Sequence, residues 1–181
     1  MTVSLKPWTV SDADDFFQMI KQVDMSYEYD GLVPNNIDEV KDDLKRMETH
    51  RERGNCLKNA ILVDGVVAGS VEVTRESNRC AHDGKVGCMV TKDFAGRGVG
   101  TQAVRLLAAY AFEQCGYERL TAWIYSPNMA SARMVEKVGF KHEATLRSMA
   151  YKDGIFYDVL VYGLLPDDFM RSSLLSRLSS L

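Results

Sequence analysis

Three glycines at alternate positions, Gly96, Gly98 and Gly100, follow the apolar stretch that ends at Val90 and precede an amphipathic run. Residues 90–101 therefore read as a strand end, a tight loop and the first turn of a helix. Such a junction offers unpaired backbone N–H groups at the positive end of a helix dipole. Glycines let a phosphate oxygen approach those donors without meeting a Cβ. Arg97 either adds a cation to this cradle or is an ordinary solvated arginine. The spacing after Gly98 does not fit Gly-x-Gly-x-x-Gly, and no Lys-Ser or Lys-Thr follows the glycines as in a P-loop. The loop supports binding of a phosphate-bearing ligand; a plain turn is the alternative.

Other residues carry chemistry of their own. Glu72 stands between Val71 and Val73 in an otherwise apolar run. A carboxylate partly withdrawn from water is a candidate general base, and an edge-exposed or hydrogen-bonded glutamate is the plainer reading. Cys88 lies in the strand before the glycine loop, with no His or Asp partner in the motif, so a packed thiol is favoured over a nucleophile. Asn128 follows Pro127 and precedes a helical run, the place of an N-cap. Arg147 and Asp158 fall on a terminal hairpin, where a salt bridge between them is the simple expectation.

The elements that must position these groups are legible in part. A strand over residues 3–7 precedes Ser11 as an N-cap, and residues 13–23 carry Phe16, Phe17, Ile20 and Val23 at helical spacing. A polar loop with Tyr27, Glu28 and Tyr29 leads to Asn36 and Glu39, a capping-box-like start of a helix toward Arg53. Asp64-Gly65 between β-branched runs marks a hairpin over residues 59–74. A strand over residues 85–90 leads into the glycine loop. A helix from Val99 to about Cys115 follows, with Val99, Ala103, Leu106, Leu107 and Tyr110 on its buried side and Gly116 as its stop. Next come a strand over residues 120–125, a helix over residues 129–138 ended by Gly139, and a hairpin pairing residues 140–149 with residues 155–164. The order β-α-α-β-β-β-α-β-α-β-β implies an α+β fold, a mixed sheet with helices on both faces. Residues 1–166 read as one domain, and residues 167–181 as a serine-rich tail, either a peripheral helix or a frayed end.

Composition narrows the class. At 181 residues and 46% hydrophobic, the chain can bury a core and shape a small-molecule cleft. A net charge of −3 without a basic stripe argues against nucleic acid. No apolar run approaches the roughly 20 residues of a membrane span, and no secretory leader is evident, so a cytoplasmic protein is expected. Four scattered cysteines and three scattered histidines suggest reduced thiols and no metal site.

With the glycine loop placed between strand and helix, the chain resembles the GNAT superfamily of N-acetyltransferases. Residues 90–100 look like the family's acetyl-CoA loop. Residues 128–140, with Asn128, Ser131, Glu136-Lys137, Gly139 and Phe140, look like its second cofactor segment. Leu146-Arg147, Gly154, Asp158 and Tyr162 further resemble the branch containing ribosomal-protein N-terminal acetyltransferases. Two positions depart from the pattern: Ala95 stands where Gln or Arg is usual, and Val135 where many members carry a tyrosine that protonates the leaving thiolate.

The resemblance implies a single-domain, mostly antiparallel twisted sheet with a splayed central strand, and acetyl-CoA as co-substrate. It implies that Arg97, Gly98, Val99, Gly100 and Thr101 hold the pyrophosphate, that Cys88, Met89 and Val90 border the pantetheine, and that Asn128 reaches its amide. Glu72 becomes the candidate base and Ser131 a candidate proton donor to the thiolate. Tyr27, Glu28, Tyr29 and Arg147 lie where relatives shape the acceptor pocket. The acceptor is then an amine, a protein N-terminus first and a small molecule second; the departures at Ala95 and Val135 leave a catalytically silent acyl-CoA-binding module as the alternative to an enzyme. A homodimer is a frequent state of the family.

Overall fold

The computed structural model describes residues 1–26, 34–52, 54 and 56–178 (the backbone alone for residues 175–178). Among them a seven-stranded sheet has the order β1-β2-β3-β4-β5-β7-β6. The strands are β1 (Val3–Pro7), β2 (Cys56–Val63), β3 (Val66–Arg75), β4 (Asp83–Val90), β5 (Arg119–Tyr125), β6 (Lys141–Lys152) and β7 (Ile155–Leu164). The helices are α1 (Ala13–Lys21), α2 (Ile37–Glu52), α3 (Val99–Gln114), α4 (Met129–Val138) and α5 (Pro166–Leu178). All strand pairs are antiparallel except β4–β5. This is the α+β sheet expected from the sequence, with helices on both faces.

One face is covered by α1 and α2 through Trp8, Phe16, Ile20, Val40, Leu44 and Ala60. The other is covered by α3 and α4, where Val99, Ala103, Leu107 and Val135 pack on Val71, Val73 and Leu120. The buried face of α3 differs from the expected one. Leu106 is 43% and Tyr110 53% exposed, while Val104, Ala108 and Ala111 are buried. The buried stripe of α3 thus mixes the small Ala103, Ala108 and Ala111 with Val99, Val104 and Leu107, and leaves Leu106 and Tyr110 toward solvent.

Local capping also departs from the expectation in places. Thr9, not Ser11, opens the turn before α1: its N–H and hydroxyl both donate to Asp12 Oδ2, at 3.1 and 2.7 Å. Helix α1 ends at Lys21, and Val23 instead bridges Thr91 at the foot of the glycine loop. Asn36 caps α2 as expected, its Oδ1 accepting from the Asp38 and Glu39 N–H groups at 3.1 and 3.0 Å. At Asp64 and Gly65 φ is 48° and 85°, the left-handed pair a type I′ turn needs. The described part of the tail is helical, with α5 tied back by Lys141 Nζ to Asp168 Oδ1 at 2.6 Å.

The feature that builds a site is the parting of β4 from β5. They pair only at Asp83↔Arg119, Gly84↔Leu120 and Lys85↔Thr121. The closed end is clamped: Thr121 Oγ1 lies 2.9 and 2.8 Å from the two Asp83 oxygens. Arg119 joins Asp83 to Glu143 across the neighbouring strands. Beyond Lys85 the two strands diverge, so backbone groups along one edge of each face a gap in mid-sheet.

Candidate active site

Two clefts meet in this gap. The larger, about 510 Å³, runs from Cys88, Met89 and Val90 past the glycine loop to Asn128, Ser131 and Lys137. The smaller, about 160 Å³, is bounded by Ser70, Glu72, Gly87, Trp123, Tyr125 and Val135. Cys88, Met89, Asn128, Ser131 and Met134 belong to both walls, so the two clefts adjoin at the splayed strands.

At the mouth of the larger cleft the loop geometry is set by backbone conformation. Gly96 and Gly98 have φ of 73° and 80°, and a Cβ on either would meet nothing within 4 Å. These glycines are needed for left-handed φ rather than for space. At Gly100 a Cβ would only make ordinary contact, 3.4 Å from Val90 Cγ2 and 3.7 Å from Cys88 Sγ, on the wall of the cleft. Gly98 is the N-cap of α3, and the first helical bond runs from Gln102 N–H to Gly98 C=O at 3.1 Å. The N–H groups of Val99, Gly100 and Thr101 precede that bond and have no acceptor within the helix. A donor row at a helix N-terminus suits an anion. Arg97 is exposed beside it.

Two cations stand opposite: Lys137, which the sequence placed in the second cofactor segment without a role, and Arg133, which it did not single out. Arg133 and Lys137, exposed and one turn apart on α4, line the same cleft. Their i, i+4 spacing placed them on one helix face, but which face met the glycine loop required the fold. The Arg105 guanidinium ties α3 to α4 by donating to the Lys137 carbonyl at 2.5 Å.

At the junction, Asn128 caps α4: its Oδ1 accepts from the Ser131 N–H at 3.1 Å. The cap leaves the rest of both side chains at the wall shared by the two clefts. Cys88 is partly buried as a residue, yet burial pushes its thiol from the ordinary value of 9.0 up to about 12. A thiol that stays protonated at neutral pH is no nucleophile. Val135 is 2% exposed and lines the smaller cleft, so no hydroxyl stands at that position.

Glu72 faces the smaller cleft from β3. Its pairing partner on β4 is Gly87, and a Cβ there would lie only 3.2 Å from Glu72 Oε1. Gly87 thus leaves room for the carboxylate to lie across β4. On the other side Lys58 Nζ approaches Glu72 Oε2 to 3.2 Å. Trp123 and Tyr125 rise from β5 on the opposite wall. Neither Gly87, Lys58, Trp123 nor Tyr125 stood out in the sequence.

Arg147 is exposed on β6 and borders neither cleft. The salt bridge expected between Arg147 and Asp158 is not formed. Asp158 Oδ1 instead accepts from the Ser148 N–H at 2.8 Å, within the irregular stretch of β6 between Leu146 and Ala150. Tyr27, Glu28 and Tyr29 lie outside the described residues. Among those described, no helix is long and apolar enough to cross a membrane, and no cluster of His, Cys, Asp or Glu could hold a metal.

A model of the acetyltransferase (GNAT) domain matches residues 2–141. YdaF of Bacillus subtilis, named for ribosomal N-acetyltransferase activity, is 31% identical over 113 residues, covering 61% of this chain and 60% of that protein. YjcK of the same organism, named as an N-acetyltransferase, is 26% identical over 178 residues, covering 92% and 96%. Among solved structures, the ribosomal L7/L12 α-N-protein acetyltransferase RimL in complex with coenzyme A superposes with a TM-score of 0.81. It shares 18% identity, and the match covers 93% of this chain and 96% of that one.

Proposed function

Since the chain belongs to the GNAT acetyltransferases, a family that uses acetyl-CoA, we propose that it moves an acetyl group from acetyl-CoA to a primary amine, a protein or peptide N-terminus first. The observation that carries this reading is that the two clefts share a wall at the β4–β5 gap. A cofactor entering at the glycine loop would present its thioester beside Glu72.

In this reading the N–H groups at Gly98, Val99, Gly100 and Thr101 hold the pyrophosphate, with Arg97, Arg133 and Lys137 adding positive charge. The unpaired edge of β4 at Cys88, Met89 and Val90 borders the pantetheine arm, and a backbone N–H there stabilises the oxyanion as the amine adds. Asn128 contributes its carboxamide to the arm while capping α4. The amine attacks the thioester carbonyl, Glu72 takes the amine proton, and the thiolate leaves with a proton supplied in this reading by Ser131. With Cys88 held as a thiol, transfer proceeds directly within a ternary complex.

The acceptor assignment follows the names of YdaF and RimL and the energetics of deprotonation. A free α-amine, with pKa near 8, needs about 1 kcal/mol to lose its proton at pH 7; a lysine-like amine, near 10.4, needs about 4–5 kcal/mol. One partly exposed carboxylate suits the first task. A small amine (polyamine, amino acid or antibiotic) is the second reading, favoured by the modest 160 Å³ of the acceptor-side cleft.

Titration calorimetry with acetyl-CoA, ATP and NAD tests the cofactor. Acetyl-CoA should bind in the micromolar range, the others detectably weaker or not at all. Binding of ATP or NAD that CoA does not displace would defeat the assignment.

A further inference from the structure

We propose that Lys58 is a positioning residue for the reaction, fixing the Glu72 carboxylate where it can receive the proton of the incoming amine. This rests on Glu72 as the base. Lys58 is a lysine in an unusual place: its side chain is 9% exposed, on β2, away from both cleft linings. Its Nζ lies 3.2 Å from Glu72 Oε2, 4.0 Å from Asp43 Oδ2 on α2, and 5.1 Å from the centre of the Phe16 ring on α1. An ammonium this deep needs compensating charge, and two carboxylates from two elements provide it.

The backbone that carries it is equally tied down. The Lys58 carbonyl accepts from the Trp8 N–H at 3.2 Å and from the Arg51 guanidinium at 3.0 Å. The strand position from which the ammonium projects is therefore held, and the buried ammonium itself is confined by Glu72, Asp43 and the Phe16 ring.

The two oxygens of Glu72 then have different surroundings. Oε2 is sealed from solvent and makes no hydrogen bond of good geometry among the described residues, so Lys58 is its electrostatic neighbour. Oε1 lies against Gly87, whose strand lines the cleft. A carboxylate held through one oxygen presents the other in a constant direction.

A β-bulge makes the pairing possible. The hairpin runs Val63↔Val66 and Leu62↔Val67, then shifts to Ile61↔Gly69, leaving Ala68 as the extra residue. Without that residue Lys58 would oppose Val71; with it, Lys58 opposes Glu72. The bulge also serves the cofactor side, since the Ala68 carbonyl accepts from the Thr91 N–H at 2.9 Å.

The test is a double-mutant cycle on acetyl transfer, using whichever amine of a panel of N-terminal peptides and small amines is turned over. Lys58→Met should lower kcat about 10- to 100-fold and leave the KM for acetyl-CoA within about twofold. In a Glu72→Gln background the same change should alter kcat by less than about twofold, because the group it acts through is gone. Lys58→Arg, which keeps the charge, should recover most of the rate. Should Lys58→Met melt below the assay temperature, Lys58→Gln is read in its place.

Equal losses in both backgrounds, or no loss in the wild-type background, would overturn the role of Lys58 alone. Full turnover by Glu72→Gln is a separate result that removes the base, and Lys58 with it.

Discussion

Glu72 and Cys88 border the same cleft from neighbouring strands, and their surroundings give them opposite characters. Burial holds Cys88 as a thiol up to about pH 12, so Cys88→Ala should keep kcat within about threefold in a thiol-release assay. The shift also fixes a sign for stability. The folded state binds the Cys88 proton more tightly than the unfolded chain, so the contribution is fully present below about pH 9 and is lost as pH rises toward 12. Thermal melts of the wild type should therefore fall more steeply across pH 9–11 than those of Cys88→Ala. For Glu72, replacement by Gln should lower kcat about 100-fold with a lysine-like amine and less with an α-amine of lower pKa. These two residues were readable in the sequence because each is chemically out of place in its run. Lys58 was not, for a lysine in a strand looks like a solvated edge residue until its depth is known. Gly87 was silent for a related reason: its meaning lies in the glutamate lying across it.

Among the elements, the glycine loop and the start of α4 were the most legible, because short-range geometry dictates both. The positive φ of Gly98 makes a side chain costly there even though space is open. Gly98→Val should weaken acetyl-CoA binding at least tenfold by calorimetry, through about 1–2 kcal/mol of backbone strain and a displaced donor row. Asn128 allows cap and ligand roles to be separated. Asn128→Ser should retain the cap and the melting temperature yet weaken acetyl-CoA binding, whereas Asn128→Ala should lose about 1 kcal/mol of stability as well. Equal melting temperatures for the two would deny the cap its weight. What the sequence hid were long-range features. The Asp64-Gly65 turn sets a register that the Ala68 bulge then shifts by one residue, and the one hint in residues 66–69 is Gly69, a glycine inside a strand run where β4 comes close. The outward turn of Leu106 and Tyr110 likewise depends on how α3 is rotated against the sheet, which periodicity does not fix to one residue. Bulky apolar spacing found Val99, Ala103 and Leu107 but added Leu106 and Tyr110, which lie at the edge of the buried stripe and outside it.

At the scale of the whole molecule, the fold is a clamp that is tight at one end and open at the other. Arg119, Asp83, Glu143 and Thr121 hold β4, β5 and β6 together at the closed end. Arg75 reinforces it by donating to the Ala81 and Cys115 carbonyls at 2.5 and 2.6 Å and stacking on Tyr117. The open end is left without strand pairing, and a ligand filling it should stabilise the chain. Saturation at about 100 times the Kd adds roughly 2.7 kcal/mol, or about 5–10 °C in melting temperature for a domain of this size. The central claim is that this gap joins a cofactor grip to an amine site, and acetyl transfer itself tests it most directly. Thiol release from acetyl-CoA should be measured against peptides with free N-termini and against polyamines, amino acids and aminoglycosides. The expected result is amine-dependent release with intersecting initial-velocity lines, faster with at least one peptide N-terminus than with the small amines. Acetyl-CoA bound with normal affinity but released at the same slow rate with every amine would contradict it.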